Sequence, residues 1–352
     1  LRRGMSGKFR GRDEFDRAKN AFFKNAIESG NSEEDVAEIW RQIESFAGYA
    51  FAKGHSASYA VESFQSLYLK AYYPLEYMTA TVNHFGGFYD TEIYLLEAKR
   101  HGASIEAPCI LIGKEKSILI ENTIILGFNL IKGIESETIN KILKNQHKHQ
   151  WTSVTQFIRE TGLSIEQTSL LIRSGAFRKL NKSKKELLWE THFTGHKKSN
   201  ASIALFQSEE KNLNLPKFQD HWIEDAYDEM ELFEFPLKNP FDLIDYFPIT
   251  PVADKLQDLV GKNVHVIGYL VNTKRTKTQK GELMLFGTFF DCNWNFFDTV
   301  HFPNTLTNTQ YRGRGIYKIE GKVCEEFGAF TIEADRTEKI PYLRDPRYSE
   351  RK

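Results

Sequence analysis

The hydrophobic pattern of this chain changes from mainly helical to strand-like near Val260, and that change constrains its fold more than any other feature. Before it, apolar residues recur every three or four positions, which is typical of helices that pack by one face. After it, apolar and polar residues alternate in short runs between turn residues, which is typical of strands. The sequence therefore predicts a multidomain α + β protein in which helices come first and strands last.

The composition is that of a globular protein with balanced charge. The 352 residues are 41% hydrophobic and 27% charged, and Lys plus Arg equal Asp plus Glu at 47 each. A nucleic-acid surface must then be a local patch, because there is no overall positive excess. Cys109, Cys292 and Cys324 lie far apart and form no metal-ligand pair, which favours a reducing, intracellular compartment. No apolar run approaches a membrane span, and no signal peptide is visible.

Capping residues and periodicity predict the helices. Residues 13–29 form the first, stopped by Gly30, and Ser32 with Asp35 forms a capping box for the second. The second helix is expected to bury Val36, Ile39, Trp40, Ile43 and Phe46. A third spans Tyr59 to Tyr72, before Pro74. Shorter helices are expected over 75–83, 91–101, 151–158, 165–174 and 223–235, and short strands over 104–112 and 117–128.

Two basic, glycine-containing segments are candidate phosphate contacts. Residues 1–12 carry Arg2, Arg3 and Lys8 without an acid, and the third helix begins beside Lys53, His55 and Ser56. Free N–H groups at a helix start attract anions. The alternatives are a solvated terminus and an ordinary packed helix start.

The segment 126–143 fits a helix-hairpin-helix, a motif that binds duplex backbone without reading its sequence. The turn is Lys132-Gly133-Ile134, and Ser136 opens the following helix. Glu135 stands where the usual hairpin has its second glycine. Arg173 is a further candidate backbone contact, and the basic residues of 178–198 extend the same surface. The alternative is a unit that only packs.

Five short strands are expected beyond Val260, over 263–273, 282–291, 296–302, 315–323 and 327–333, with a turn at 276–281 and a helical gap near 305–311. They fit an OB-fold barrel. Its first hairpin carries Lys274, Arg275 and Lys277. Phe286 and Phe302 lead a set of aromatic residues suited to stacking on bases, although alternation places about half of that set in the core. The tail after Arg336 is expected to fray.

Several phrases resemble the catalytic alpha subunit of bacterial DNA polymerase III. The segment GYAFAKGHSASYA, followed by FQSLYLKAYYPLEYM, resembles part of that family's fingers, with Gly54 in place of the usual serine. LRRGMSGK looks like a fingers motif close to the incoming nucleotide. The resemblance extends to about Tyr342 and implies fingers residues at 1–85, a helix-hairpin-helix clamp-binding domain at 86–245 and an OB domain with a basic tail at 246–352.

The resemblance also implies partners. In this family, the loop around Ala201 to Gln207 carries a pentapeptide that docks on the sliding clamp. Ser202-Ile203-Ala204-Leu205-Phe206 matches its last four positions, with Ser202 where the glutamine should be. Leu205 and Phe206 would enter the clamp's apolar pocket. The alternative is that Ile203, Leu205 and Phe206 pack on their own domain. TKTQKGELMLFGTFFD resembles the family's barrel, which lies near the single-stranded template.

No paired aspartates suggest a catalytic metal site, so neither catalytic nor metal-ligating residues are assigned. The resemblance places Mg²⁺ and its carboxylates in a palm upstream of these residues. We therefore expect a cytoplasmic, nucleoid-associated fragment that binds primer-template DNA, the sliding clamp and other replicase subunits, without polymerising alone or requiring a cofactor. The alternatives are a stand-alone repair or replication accessory protein and, less specifically, a scaffold that bridges proteins.

Overall fold

Helices occupy the first part of the chain and a β-barrel the last. The computed structural model describes residues 12–45, 53–84, 87–146, 150–195, 218–246, 251–278, 280–309 and 311–348. Within these ranges, no helix is both long enough and apolar enough to cross a membrane. The chain divides into two compact units, residues 1–73 and 74–352, which are described separately.

In the described residues of the first unit there are three helices: α1 (Arg12–Glu28), α2 (Glu33–Ser45) and α3 (Lys53–Tyr72). The capping box is confirmed, because the Asp35 amide donates to Ser32 Oγ at 3.1 Å and the Ser32 hydroxyl donates to the Asp35 carboxylate at 2.6 Å. Trp40 is buried against the rings of Phe15 and Phe22, whose centroids lie 5.3 and 5.4 Å away. The contact between α1 and α2 is therefore mainly aromatic.

The predicted burial of Ile39 was wrong, since its side chain is 49% exposed. Val36, Trp40 and Ile43 follow one another at spacings of four and three, and Ile39 lies beside that stripe. Phe46 lies outside the described residues. The large apolar residues of α3 are also exposed: Tyr59, Val61, Phe64, Leu67, Tyr68, Leu69 and Tyr72.

Before the barrel, the described part of the second unit has seven helices: α4 (Pro74–His84), α5 (Thr91–Arg100), α6 (Ser136–Gln146), α7 (Val154–Thr161), α8 (Ile165–Arg173), α9 (Lys184–Gly195) and α10 (Trp222–Phe233). The hydroxyls of Ser153 and Ser164 cap α7 and α8 by accepting backbone N–H groups at 3.1 and 3.2 Å. Their shared core is built around fully buried aromatic residues: Phe128, Trp151, Phe157 and Phe177.

Two predicted strands between α5 and α6 were too long. The structure has three short strands, β1 (Ser104–Glu106), β2 (Ile118–Ile120) and β3 (Thr123–Ile125). β3 lies between β1, which is parallel to it, and β2, which is antiparallel. The predicted second strand is thus a hairpin that turns at Glu121, where φ is +52°. Continuous apolar residues on both sides of that turn hide it in the sequence.

Five strands close a barrel, as the sequence predicts: β4 (Asn263–Lys277), β5 (Leu283–Phe290), β6 (Phe296–His301), β7 (Ile316–Glu326) and β8 (Ala329–Lys339). Their order around the barrel is β4-β5-β6-β8-β7, and only β6 and β8 pair in parallel. This is the arrangement of an OB-fold barrel. A bulge between Leu270 and Asn272 allows β4 to pair with both β7 and β5. A 3₁₀ helix (Pro303–Asn308) follows β6.

A second apolar cluster joins the barrel to the helices of its own unit. It includes Ile93 and Leu96 of α5 with Ile267 and Phe290 of the barrel. Inside this cluster, the Tyr269 hydroxyl lies 2.7 and 2.8 Å from the two carboxylate oxygens of Glu92. Burial raises the pKa of Glu92 to about 7, against the opposing effects of Tyr269 and of Arg314, whose guanidinium lies 3.6 Å away.

The expected fraying after Arg336 was wrong for the residues that the structure describes. β8 continues to Lys339, and the chain then returns to the helices. The Leu343 amide donates to the Leu243 carbonyl at 2.7 Å, and the Leu343 carbonyl accepts from the Tyr227 hydroxyl at 2.7 Å. Arg347 donates to Asp228 at 2.9 Å. The basic character of this tail serves ion pairing within the unit.

A histidine lies inside the barrel wall. His301 is fully buried, and its ring nitrogens lie 3.0 Å from the Thr309 hydroxyl, 3.0 Å from the Thr299 hydroxyl and 2.5 Å from the Tyr311 hydroxyl. Burial lowers the pKa of His301 to about 4. The imidazole is therefore neutral near neutral pH.

Candidate nucleic-acid interface

The first barrel hairpin carries three exposed cations, of which Lys274 lies on the same side of the sheet as Phe286, whereas Arg275 and Lys277 lie on the opposite side because side chains alternate along the strand. Lys274 pairs across the strands with Phe286, Arg275 with Leu285 and Lys277 with Leu283. All three cations are exposed. In the part of the chain that the structure describes, no ion pair is recorded for any of them. Their charge is therefore available to an external anion.

The turn of this hairpin follows from its sequence. Gly281 has φ +85°, and its amide donates to the Thr278 carbonyl at 2.9 Å. The Glu282 amide donates to the Thr278 hydroxyl at 3.2 Å. β4 runs slightly further than predicted, so Lys277 belongs to the strand and not to the turn.

The aromatic residues of β5 and β6 divide between the core and the surface as alternation predicts. Those that face the core or the helices are buried: Phe289, Phe290 and Phe297. Those that face solvent are Phe286, Phe296 and Phe302, with 38, 42 and 39% of their surfaces exposed. Phe296 shares its side of β6 with Asp298 and Val300 because side chains alternate, and Phe302 follows directly after the strand. Of the β4 cations, Lys274 thus lies on the same side of the sheet as the aromatic strip formed by Phe286, Phe296 and Phe302.

One exposed aromatic residue was missed by the sequence reasoning. Phe327 lies in the turn between β7 and β8, with φ +54° and a completely exposed side chain. The sequence prediction placed it at the start of a strand. Its neighbour Gly328 was the available signal, since a residue before glycine between two alternating runs is typical of a two-residue turn.

The hairpin turn is present, although its first arm is one 3₁₀ turn (Phe128–Leu130) and not a full helix. Gly133 takes the left-handed conformation at φ +83°, and Ser136 begins α6. Two backbone N–H groups near the turn already donate hydrogen bonds to acceptors within the chain. The Lys132 amide donates to the Leu232 carbonyl at 2.8 Å, and the Glu135 amide donates to the Gln167 side chain at 3.0 Å.

The cations of the hairpin unit differ from those of the barrel, because acids of α10 and its C-terminal cap neutralise them. Arg173 donates to Asp228 at 2.9 Å and also to Glu231, and these bonds raise the pKa of Arg173 despite partial burial. Three further pairs have the same arrangement: Lys132–Glu234 at 3.8 Å, Lys184–Asp225 at 2.8 Å and Lys185–Glu224 at 2.8 Å. Two cations pair with other acids: Arg178 with Glu106 and Lys182 with Glu190.

The remaining predicted positions lie at or beyond the edges of the described ranges. Lys53, His55 and Ser56 lie in the first turn of α3, where His55 and Ser56 are exposed. Arg2, Arg3 and Lys8 lie outside the described residues, as do Ser202, Ile203, Leu205 and Phe206. In the described ranges, no three His, Cys, Asp or Glu side chains are grouped as metal ligands would be.

Comparison with known proteins gives one domain model and a set of distant relatives. The helix-hairpin-helix motif model matches residues 102–187. The chain is 28% identical to a DNA polymerase III subunit alpha of Aquifex aeolicus, over 88% of this chain and 26% of that protein. It is also 28% identical to an error-prone DNA polymerase of Bdellovibrio bacteriovorus, over 87% of this chain and 31% of that protein.

One solved structure similar in part is the second OB-fold domain of replication protein A from Methanococcus maripaludis. The matched region covers 25% of this chain and 90% of that domain, with 13% identity and a TM-score of 0.19. That likeness concerns the fold alone. By sequence, the chain is distantly homologous over most of its length to bacterial polymerases of these two kinds, and it spans about a quarter to a third of their length.

Proposed function

We propose that this chain is the DNA- and clamp-binding C-terminal portion of a bacterial DNA polymerase III alpha subunit that acts in replication. Distant homology over most of the chain and the helix-hairpin-helix match support that assignment. The observation that carries the DNA-binding role is the barrel hairpin, where Lys274, Arg275 and Lys277 lack ion pairs in the described structure and Lys274 lies directly across from the exposed ring of Phe286. Such a surface suits single-stranded nucleic acid.

Each predicted region has a role in this proposal. The barrel holds the single-stranded template, with phosphates on the β4 cations and bases on Phe286 and Phe302. The hairpin contacts duplex backbone around Gly133 and Ser136. Lys132 and Arg173 would join it only by exchanging an internal carboxylate for a phosphate.

The other roles rest on the resemblance. Arg2, Arg3, Lys8, Lys53, His55 and Ser56 face the incoming nucleotide, in fingers residues 1–85. A helix-hairpin-helix clamp-binding domain at 86–245 and an OB domain with a basic tail at 246–352 follow these residues. Nucleotide transfer with Mg²⁺ is the activity of the whole polymerase in the bacterial cytoplasm.

The proposed docking of the sliding clamp rests on Ile203, Leu205 and Phe206. A Leu205→Ala, Phe206→Ala double variant should lose measurable binding to the clamp in surface plasmon resonance, because both apolar anchors are removed. A Ser202→Gln variant, which restores the polar anchor of the motif, should bind more tightly. Equal binding by all three proteins would remove the clamp from the proposal.

The DNA-binding role is tested by comparing a blunt duplex with the same duplex carrying a 5′ single-stranded extension. The chain should bind the extended duplex about tenfold more tightly, since each base stacked on an aromatic residue contributes about 1–3 kcal/mol. Fluorescence anisotropy at fixed ionic strength measures both affinities. Equal affinities, or no binding to either DNA, would contradict the proposal.

A further inference from the structure

A single carboxylate lies in the middle of the aromatic strip of the barrel. On β6, residues 297, 299 and 301 are buried, whereas Asp298 is exposed on the same side of the strand as Phe296, and Phe302 follows directly after the strand. The two phenylalanines are six positions apart, or about 20 Å at the usual rise of a strand. Asp298 therefore lies within the length that several stacked bases would occupy.

Hydrogen bonding fixes the orientation of this carboxylate. Asp298 pairs with Thr288 on β5, and the Thr288 hydroxyl donates to Asp298 Oδ1 at 2.6 Å. Among the described residues, no Lys or Arg is recorded in an ion pair with Asp298. One oxygen is thus held by a neighbour, while the other has no recorded donor within the described structure.

The position of this charge determines how a nucleic-acid strand can lie on the face. An exposed carboxylate repels phosphate, and Lys274, an unpaired cation on the same side of the sheet, is on β4, two strand spacings or about 10 Å away. A strand bound here would place its phosphates along β4 and its base edges towards β6. An ionised carboxylate only accepts hydrogen bonds, so it favours bases that present an amino group.

We propose that Asp298 selects bases with an exocyclic amino group in the single strand held by the barrel. Thr288 positions the carboxylate by holding one of its oxygens. The inference rests on the proposed function of the barrel face and adds a base preference to it. Cytosine and adenine are favoured at the Asp298 position, and thymine, whose corresponding edge carries a carbonyl group, is disfavoured.

The test uses two short single strands, one of 5-methyl-deoxycytidine and one of thymidine. These bases share the C5 methyl group and differ at the amino or carbonyl group and at the adjacent ring nitrogen, which keeps their stacking similar. The chain should bind the 5-methylcytosine strand about three- to tenfold more tightly at mildly alkaline pH, the effect of about one hydrogen bond to a charged acceptor. Asp298→Asn should remove or reverse this ratio, because an amide can also donate to the thymine carbonyl.

Two control variants separate this inference from the proposed function. Glu326→Gln removes one exposed carboxylate at the end of β7 and should leave the ratio unchanged. Lys274→Ala should weaken the binding of both DNA strands by the same factor. Equal binding of the two strands by the unmodified chain, or an unchanged ratio in Asp298→Asn, overturns the base preference while Lys274→Ala still reports on the face. If the unmodified chain binds neither strand, both the base preference and the proposed function of the barrel face are overturned.

Discussion

The barrel face and the hairpin unit are both rich in cations, but the structure gives those cations different partners. On β4, Lys274, Arg275 and Lys277 have no recorded ion pair among the described residues, and Lys274 lies across from the exposed ring of Phe286. In the hairpin unit, α10 and its C-terminal cap supply five acids to four cations. Positive charge in a sequence therefore indicates a nucleic-acid surface only when the fold leaves that charge without an internal acid.

This comparison predicts opposite effects of substitution in the two regions. Changes to the ion pairs of the hairpin unit should lower the free energy of unfolding and leave the binding of single strands largely intact. Changes on the barrel face should weaken the binding of single strands and leave stability intact.

The largest effect on stability is expected from Asp228→Asn. Asp228 is buried and accepts hydrogen bonds from both Arg173 and Arg347, so the variant leaves two guanidinium groups without their shared partner. The free energy of unfolding should fall by about 3 kcal/mol. Chemical denaturation measures it. Asp225→Asn, at a half-exposed acid that pairs with Lys184, is the matched control and should cost less than about 1 kcal/mol. Equal losses would show that α10 is not held by this buried pairing.

A pH-dependent effect is expected from Glu92→Gln. Burial raises the pKa of Glu92 from its ordinary 4.5 to about 7, so the folded chain binds a proton more readily than the unfolded chain. The contribution of Glu92 to stability is therefore lost as pH rises from 4.5 to 7. Glu92→Gln should gain stability relative to the unmodified chain across that range, by about 2 kcal/mol in total.

The pH dependence of stability due to His301 has the opposite sign to that due to Glu92, and the two pH ranges overlap. Its pKa is lowered from 6.5 to about 4, so its contribution is present above pH 6.5 and lost as pH falls towards 4. The two trends partly cancel in the unmodified chain, and Glu92→Gln should expose the rise with pH due to His301. Thermal unfolding at several pH values measures both. A difference between the two proteins that does not change with pH would contradict the shifted pKa of Glu92.

A smaller effect, on binding alone, is expected from Phe286→Ala. Loss of one stacking ring should weaken single-strand binding by about tenfold, and the melting temperature should not change because the ring is partly exposed. Phe88→Ala, at a 79% exposed phenylalanine in the segment between α4 and α5, is the control and should bind normally. Equal weakening in both variants would mean that exposed rings contribute without regard to position.

The smallest effect is expected from Lys132→Ala. This lysine is highly exposed and already lies 3.8 Å from Glu234, so its removal should change duplex affinity by less than about threefold. Gly133→Ala, which strains the left-handed turn, should have the larger effect of the two on duplex affinity. A loss greater than tenfold from Lys132→Ala would show that the lysine exchanges its carboxylate for phosphate.

Local patterns predicted most of the fold. Alternation predicted that about half of the barrel's aromatic rings lie in its core, and Phe289 and Phe297 lie there whereas Phe286 does not, because the strand period is two. Ser32 was identified as a helix cap because its hydroxyl and the following acid have a fixed spacing. Ile39 was misjudged because the contact of a helix with one neighbour covers a narrower stripe than its apolar residues suggest. The hairpin at Glu121 was missed because that turn uses no glycine or proline.

The candidate site was harder to predict, because it depends on contacts between distant residues. Nothing near Arg173 in the sequence shows that Asp228, 55 positions later, would hold it. The order of the tail was missed for the same reason, since Arg347 donates to Asp228, which lies 119 positions earlier in the sequence. The phosphate-contact roles of Lys132, Gly133, Ser136 and Arg173 remain predictions.

The most direct test of the barrel face is the salt dependence of single-strand binding. Three proteins are compared. They are the unmodified chain, a triple variant that carries Lys274→Ala, Arg275→Ala and Lys277→Ala, and a control triple variant that replaces three exposed lysines elsewhere on the barrel domain by alanine: Lys255, Lys262 and Lys322. The slope of the logarithm of affinity against the logarithm of salt concentration should become shallower by about 2 in the first variant, since three phosphate contacts are lost. It should not change in the control. Equal slopes in all three proteins would contradict the assignment of this face as the single-strand site.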